Sequence, residues 1–129
     1  MTDRRQKTGR RGEDEACMHL SGLGHTIVAR NWRHSHQEID IISFKGDEIH
    51  FVEVKSRTAP VVADPSVNVN SAKWKNVVKA ANAFLNSGDK AGLSPDMDVC
   101  FDVITVVFAK DGGSFEIEYY PKAFIPIYV

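Results

Sequence analysis

The sequence predicts an α/β fold in which a mixed five-stranded sheet is flanked by two helices, in the order helix, three strands, helix, two strands. Three observations carry that expectation. Apolar residues recur at three and four residues in two segments, the helical period, while β-branched and aromatic residues crowd the segments between them. The first three strand-like runs are joined by short polar stretches, as a meander requires. The second helical segment falls between the third and fourth runs, where a crossover sets those two strands parallel. At 129 residues the chain suits one domain with one core, residues 1–129, with 1–7 reading as a flexible tail.

From Thr8 to Gly22 the pattern is helical, with Ala16, Cys17, Leu20 and Leu23 repeating at three and four residues, and Gly22 and Gly24 offer its stop. His25 to Trp32 reads as a strand and the polar Arg33 to Gln37 as a loop. Ile39 to Phe44 and Glu48 to Lys55 form a hairpin about Lys45-Gly46-Asp47. Ser56 to Asn70, with Pro60 and Pro65, has no periodicity, and a loop of that length in a small domain often lines a site. Ser71 is placed to cap a second helix reaching about Asn86, with Trp74, Val77, Val78, Ala81, Phe84 and Leu85 on its apolar side. After a turn-rich connection, Val99 to Ala109 reads as a strand buried on both faces. Gly112-Gly113 turns into a last strand, Ser114 to Tyr120, and Pro121 and Pro126 mark an irregular tail.

Composition excludes several classes. No apolar stretch reaches the length of a membrane span, and the basic, polar Met1 to Gly12 is unlike a signal peptide, so a cytoplasmic protein with no membrane association is expected. Cys17 and Cys100 have no metal-type spacing and read as reduced, buried thiols. The net charge of −1 is unlike a protein built to grip phosphates everywhere, although Arg4, Arg5, Lys7, Arg10 and Arg11 crowd one end and Lys73, Lys75 and Lys79 gather on the second helix.

Charged residues in the apolar pattern point to chemistry. In the strand Glu48 to Lys55 alternate residues share a face, so Glu53 and Lys55 continue the face of Ile49 and Phe51. Asp40 shares a face with Ile42 and Phe44, and a two-residue turn at Gly46-Asp47 sets Asp40 opposite Glu53. Glu13 lies one turn before Ala16 and Cys17, on the buried stripe of the first helix. Three carboxylates beside one lysine at the edge of a core leave negative charge uncompensated: either some are protonated, or a cation sits among them. Oxygen donors without a convergent His or Cys favour Mg²⁺ or Mn²⁺ over zinc. Asp40 and Glu53 would hold the metal, Glu13 would bind a second ion or its water, and Lys55 would orient water and neutralise the transition state of phosphodiester hydrolysis. Taken singly, Glu-x-Lys is common on exposed sheet faces, so the set matters more than any one member.

Four blocks, in order, carry a resemblance: Thr8-Gly9-Arg10-Arg11-Gly12-Glu13 with Ala16; Ala29-Arg30-Asn31-Trp32-Arg33; Glu38-Ile39-Asp40-Ile41-Ile42; and Phe51-Val52-Glu53-Val54-Lys55-Ser56-Arg57. Together with Lys73, Ala80 to Leu85 and Phe101-Asp102-Val103-Ile104, they resemble the largely uncharacterised bacterial YraN family, which is similar to Holliday-junction resolvases of the restriction-endonuclease-like superfamily. The resemblance implies a restriction-endonuclease-like core of helix, three strands, helix and strand. By position it implies that Glu13, Asp40, Glu53 and Lys55 are the catalytic set. It also admits a homodimer, since a symmetric junction needs two cuts. Gln37 stands where the family usually has glycine, and Cys100 where arginine commonly precedes Phe-Asp.

Other candidates have plainer readings. Arg10, Arg11, Arg33, Arg57, Lys73 and Lys75 are candidate nucleic-acid contacts, against ordinary solvated faces. Asp102, inside an apolar strand, needs a partner, with Lys73, Lys75 or a backbone donor to supply it. His34 and His36 lack a third ligand for zinc, and Trp32 and Trp74 fit the core better than a base-stacking platform. The expected function is a Mg²⁺- or Mn²⁺-dependent nuclease acting on DNA, branched or structured forms included. The competing reading is a catalytically idle nucleic-acid- or partner-binding domain on the same fold.

Overall fold

Strand periodicity sorts this chain onto two faces of one sheet, and each face has its own helix. The computed structural model describes residues 4–60, 71–88 and 96–124. Its elements are α1 (Arg4–Gly22), β1 (Thr26–His34), β2 (Gln37–Lys45), β3 (Glu48–Thr58), α2 (Ser71–Leu85), β4 (Asp98–Phe108) and β5 (Phe115–Phe124). The strands lie side by side in chain order; β3 and β4 are parallel and every other neighbouring pair is antiparallel. The predicted α/β class, the mixed sheet and the parallel crossover through α2 are therefore all present.

One face packs on α2. Ile42 of β2, Ile49 and Phe51 of β3, and Phe101 and Val103 of β4 meet Trp74, Val77, Val78, Ala81 and Phe84, with Trp32 edge-on to Phe84. The other face packs on α1: Ile41, Val52, Ile104, Val106 and Phe108 meet Ala16 and Leu20. β4 is buried on both faces because it lies inside the sheet beneath both helices. Both tryptophans lie in or against the α2 core, as their apolar patterns predict.

Several boundaries differ from the sequence reading. α1 begins at Arg4, so Arg4 to Lys7 are helical where a tail was expected. The predicted loop Arg33 to Gln37 shrinks to the two residues Ser35 and His36, because His34 pairs directly with Gln37 and Ser35 takes a left-handed φ of 58°. β3 runs on to Thr58, fully paired along β4. β5 continues through Pro121 to Phe124 rather than ending at Tyr120; an edge strand tolerates a residue with no N–H, and the chain bulges there, with Lys122 at φ 53°. The expected loop over 61–70, most of the connection before β4, the side chain of Ser71 and the tail from 125 lie outside the described residues.

Asp102 finds the backbone donor expected for it, but neither of the lysines. Lys73 and Lys75 ride on α2, whereas Asp102 alternates with Phe101 and Val103 and so points to the α1 face. There His50 Nδ1 lies 2.6 Å from Asp102 Oδ2, the Tyr119 hydroxyl donates to the same oxygen, and the Lys122 amide donates to Oδ1 at 2.9 Å. The β5 bulge is what aims that amide at the carboxylate.

Helix α1 approaches β3 closely at Gly12. A Cβ there would lie 1.7 Å from Ser56 Oγ and 2.8 Å from Ser56 Cβ, so a side chain can enter only by moving the helix or the strand. Gly12→Ala is expected to cost about 2 kcal/mol in urea unfolding, within the usual range for overpacking. Combining it with Ser56→Gly should recover much of that loss; strictly additive costs would show that the contact is not the cause.

Candidate active site

The antiparallel register of β2 and β3 runs from Lys45↔Glu48 to Ile41↔Val52. One further step sets Asp40 against Glu53, at the point where the ladder ends. There the Val54 N–H turns to the side chain instead of a strand, donating to Asp40 Oδ2 at 2.9 Å. Glu53 is almost wholly buried and pairs with Lys73, which reaches down from the first turn of α2.

Glu13 approaches from α1. Its Oε1 is 3.8 Å from Arg30 Nη2, a guanidinium held more tightly by Asp14 at 2.9 Å. Asn31 hydrogen-bonds the Glu13 side chain, from a left-handed backbone at φ 50° in the middle of β1. Asparagine tolerates that conformation better than most residues. Its presence within a strand, where it is disfavoured, was the available signal that the backbone departs from regular geometry there.

These elements enclose a cavity of about 960 Å³ at the end of the sheet. Its walls include Thr8, Gly9 and Glu13 of α1; Asp40; Glu53, Val54, Ser56 and Arg57 of β3; Lys73 of α2; and Lys110 beyond β4. A neighbouring hollow of about 410 Å³ shares Asp40, Glu53 and Lys73 and adds His36, Glu38 and Asn76. Glu13, Asp40 and Glu53 therefore come together as the patterning predicts, with Lys73 and Arg57. Lys55 is not in the cavity wall, although burial, Arg57 and Lys73 together outweigh Glu53 and lower its pKa. Arg10 and Lys75 are exposed away from the wall. Arg11 lies over the Phe108 ring at 4.3 Å and donates to the Gly112 carbonyl, and Arg33 pairs with Glu38.

Lys110, Ser56 and Glu38 were not singled out from the sequence. Only the parallel direction of β4 brings Lys110, just past Phe108, to the same end as Thr58 of β3. Among the described residues Ser56 Oγ is buried without a hydrogen-bond partner, a state that typically costs about 1–3 kcal/mol.

Electrostatically the site is strained. Burial, then the adjacent Glu53 charge, pushes the Asp40 carboxyl up to about 8, against the opposing pull of the Val54 amide and Lys73. Burial also raises Glu13. Burial works against the Lys73 ammonium, but Glu53, Asp40 and Glu38 outweigh it and raise its pKa. For Asp40 the sign of the linkage follows directly: the folded protein binds a proton that the unfolded chain has released above about pH 4. Asp40 therefore subtracts stability progressively as pH rises towards 8. In chelator-treated protein, Asp40→Asn should be more stable than wild type, by a margin that widens between pH 4 and 8 and then levels. Carboxyl NMR should place the Asp40 midpoint near 8, and lower in Glu53→Gln; a margin independent of pH would contradict this assignment.

Among the described residues no helix is long and apolar enough to cross a membrane. The profile of Uncharacterised protein family UPF0102 matches residues 12–106, a span that contains Glu13, Asp40, Glu53 and Lys73. A UPF0102 protein of Nitratidesulfovibrio vulgaris is 40% identical over 96% of this chain and 88% of its own length. UPF0102 proteins of Bacteroides thetaiotaomicron and Chlorobaculum tepidum are 37% and 35% identical, over 92% and 93% of this chain and the same shares of their own lengths. The match to the YraN-like group first drawn from short sequence blocks thus extends over most of the chain, and the protein belongs to the UPF0102 family.

Proposed function

We propose that the protein is a metal-dependent nuclease that hydrolyses phosphodiester bonds in DNA. The observation that carries this reading is the forced approach of Asp40 to Glu53 in the wall of an open cavity, with Asp40 held so far above its ordinary pKa. A stability-neutral surface has no use for such an arrangement, whereas a bound divalent cation would relieve it. The donors fit a hard ion. Among the described residues no histidine or cysteine lines the larger cavity, and Glu13 stands by as a further carboxylate. When bound, Mg²⁺ or Mn²⁺ would polarise a phosphate oxygen and lower the pKa of a bound water.

The chain's own groups supply the rest. Asp40 and Glu53 would hold the ion, with Asp40 kept in place by the Val54 amide. Lys73, Arg57 and Lys110 offer positive charge to the phosphates on either side of the scissile bond. Lys73 is tied to Glu53 in the free protein, and its place in the cavity wall is where a substrate phosphate would compete for its ammonium. Lys55, beside the wall rather than in it, orients water from the flank.

The test is cleavage of single-stranded, duplex, flap and four-way-junction DNA in millimolar Mg²⁺ or Mn²⁺, with Asp40→Ala alongside. Metal-dependent cutting that falls about 100-fold or more in the variant is the expected result. DNA binding without cutting by either protein, with no metal bound, would instead identify a catalytically idle binding domain.

A further inference from the structure

A second group of potential ligands lies on the opposite face of the sheet, towards the start of β3. Glu48 and His50 alternate along β3, and His50 pairs across the parallel ladder with Cys100 of β4, so all three side chains share the α1 face. One ligand atom from each comes within 4.8 Å of the others; His50 and Cys100 are buried, and Glu48 is partly exposed. Among the described residues this is the one group of three His, Cys or acidic side chains that closes so tightly, tighter than the carboxylates of the cavity.

We propose that Glu48, His50 and Cys100 form a binding site for a thiophilic divalent cation of the zinc class. The donor set is the first argument: a thiolate and an imidazole select zinc over magnesium, and a carboxylate completes a mixed triad. Geometry is the second. In the metal-free protein His50 Nε2 and Glu48 Oε1 share a hydrogen bond at 3.1 Å, the proton of which a cation would replace. That separation approaches the edge of a tetrahedron built on bonds of about 2 Å, roughly 3.3 Å. The third is the support around the triad. Asp102 takes the other imidazole nitrogen, Nδ1, at 2.6 Å, which fixes the ring and leaves Nε2 as the ligand. Asp102 is itself held by Tyr119 and by the Lys122 amide. Lys122 Nζ takes Glu48 Oε2 at 3.1 Å, turning Oε1 towards His50.

Charge agrees. Metal binding would displace the Cys100 thiol proton, which burial holds in place in the free protein. The thiolate, Glu48 and Asp102 would then set three negative charges against one on Lys122, and a divalent cation brings the cluster to neutrality. The partial exposure of Glu48 leaves a side open for a fourth, solvent ligand. Such an ion would clamp the start of β3 to the start of β4, independently of chemistry at the cavity.

Cobalt(II) is a direct probe, because a thiolate on cobalt gives a near-ultraviolet charge-transfer band that oxygen ligands cannot produce. Reduced, chelator-treated protein titrated with Co²⁺ should develop this band at one equivalent, and added Zn²⁺ should abolish it. The band should persist in Cys17→Ser and Asp40→Ala, vanish in Cys100→Ser, and need roughly 10–100-fold more metal in Asp102→Asn, the usual penalty for losing such a support. Zn²⁺ should raise the melting temperature of wild type but not of Cys100→Ala, a small-for-small change that keeps the fold. Absence of the band in folded wild type, its survival in Cys100→Ser, or an equal Zn²⁺ shift in Cys100→Ala would each overturn the proposal.

Discussion

β3 and β4 run side by side in parallel from Glu48↔Asp98 to Thr58↔Phe108, and most of the molecule follows from that ladder. Parallel neighbours cannot be joined by a tight turn, so the chain must leave the sheet and return, and α2 is that excursion. The excursion covers one face of the sheet, which leaves the other to α1, and strands buried on both sides become the obligatory core. The same direction of travel brings the far ends of β3 and β4 together, so Arg57 and Lys110 arrive at one cavity from different parts of the chain.

Where the ladder of β2 stops is as important as where it runs. Pairing to β3 ends at Ile41↔Val52, and the next residues in line are both acidic. An amide released from strand pairing at Val54 is satisfied by Asp40, which fixes one carboxylate close to another. Neither acid can move away: Asp40 is tied to backbone, and Glu53 is buried and tied to Lys73. Strain of this kind is what functional sites keep at the expense of stability. The elevated proton affinity of Asp40 is its direct expression.

The two faces carry different chemistry for a structural reason. On the α2 side the polar residues of β3 come after its apolar ones, so oxygen donors gather at the strand's far half around a solvent-open cavity. On the α1 side Glu48 and His50 precede Val52, and the only sulfur on β4 pairs with His50. Hard donors therefore collect at one place and a mixed soft set at another. Asp102 belongs to the second group because strand alternation turns it away from α2 and its lysines.

Alternation and helical period determined the class of this fold, its element order, the hairpin at Gly46-Asp47 and the faces of Trp32, Trp74, Asp40, Glu53 and Glu13. Each is a local property, since side-chain direction along a strand or helix depends only on spacing. Membership of the family was equally legible, because its blocks are short contiguous runs. Only tertiary structure decided that Lys73 meets Glu53 rather than Asp102, that Asn31 attends Glu13, that Lys110 reaches the cavity while Lys55 stands beside it, and that His50 and Cys100 are neighbours. Those pairings join residues far apart in the chain. They depend on the register of a crossover and on bulges at β1 and β5, whose energies are set by packing across the whole sheet and leave no periodic trace in the sequence.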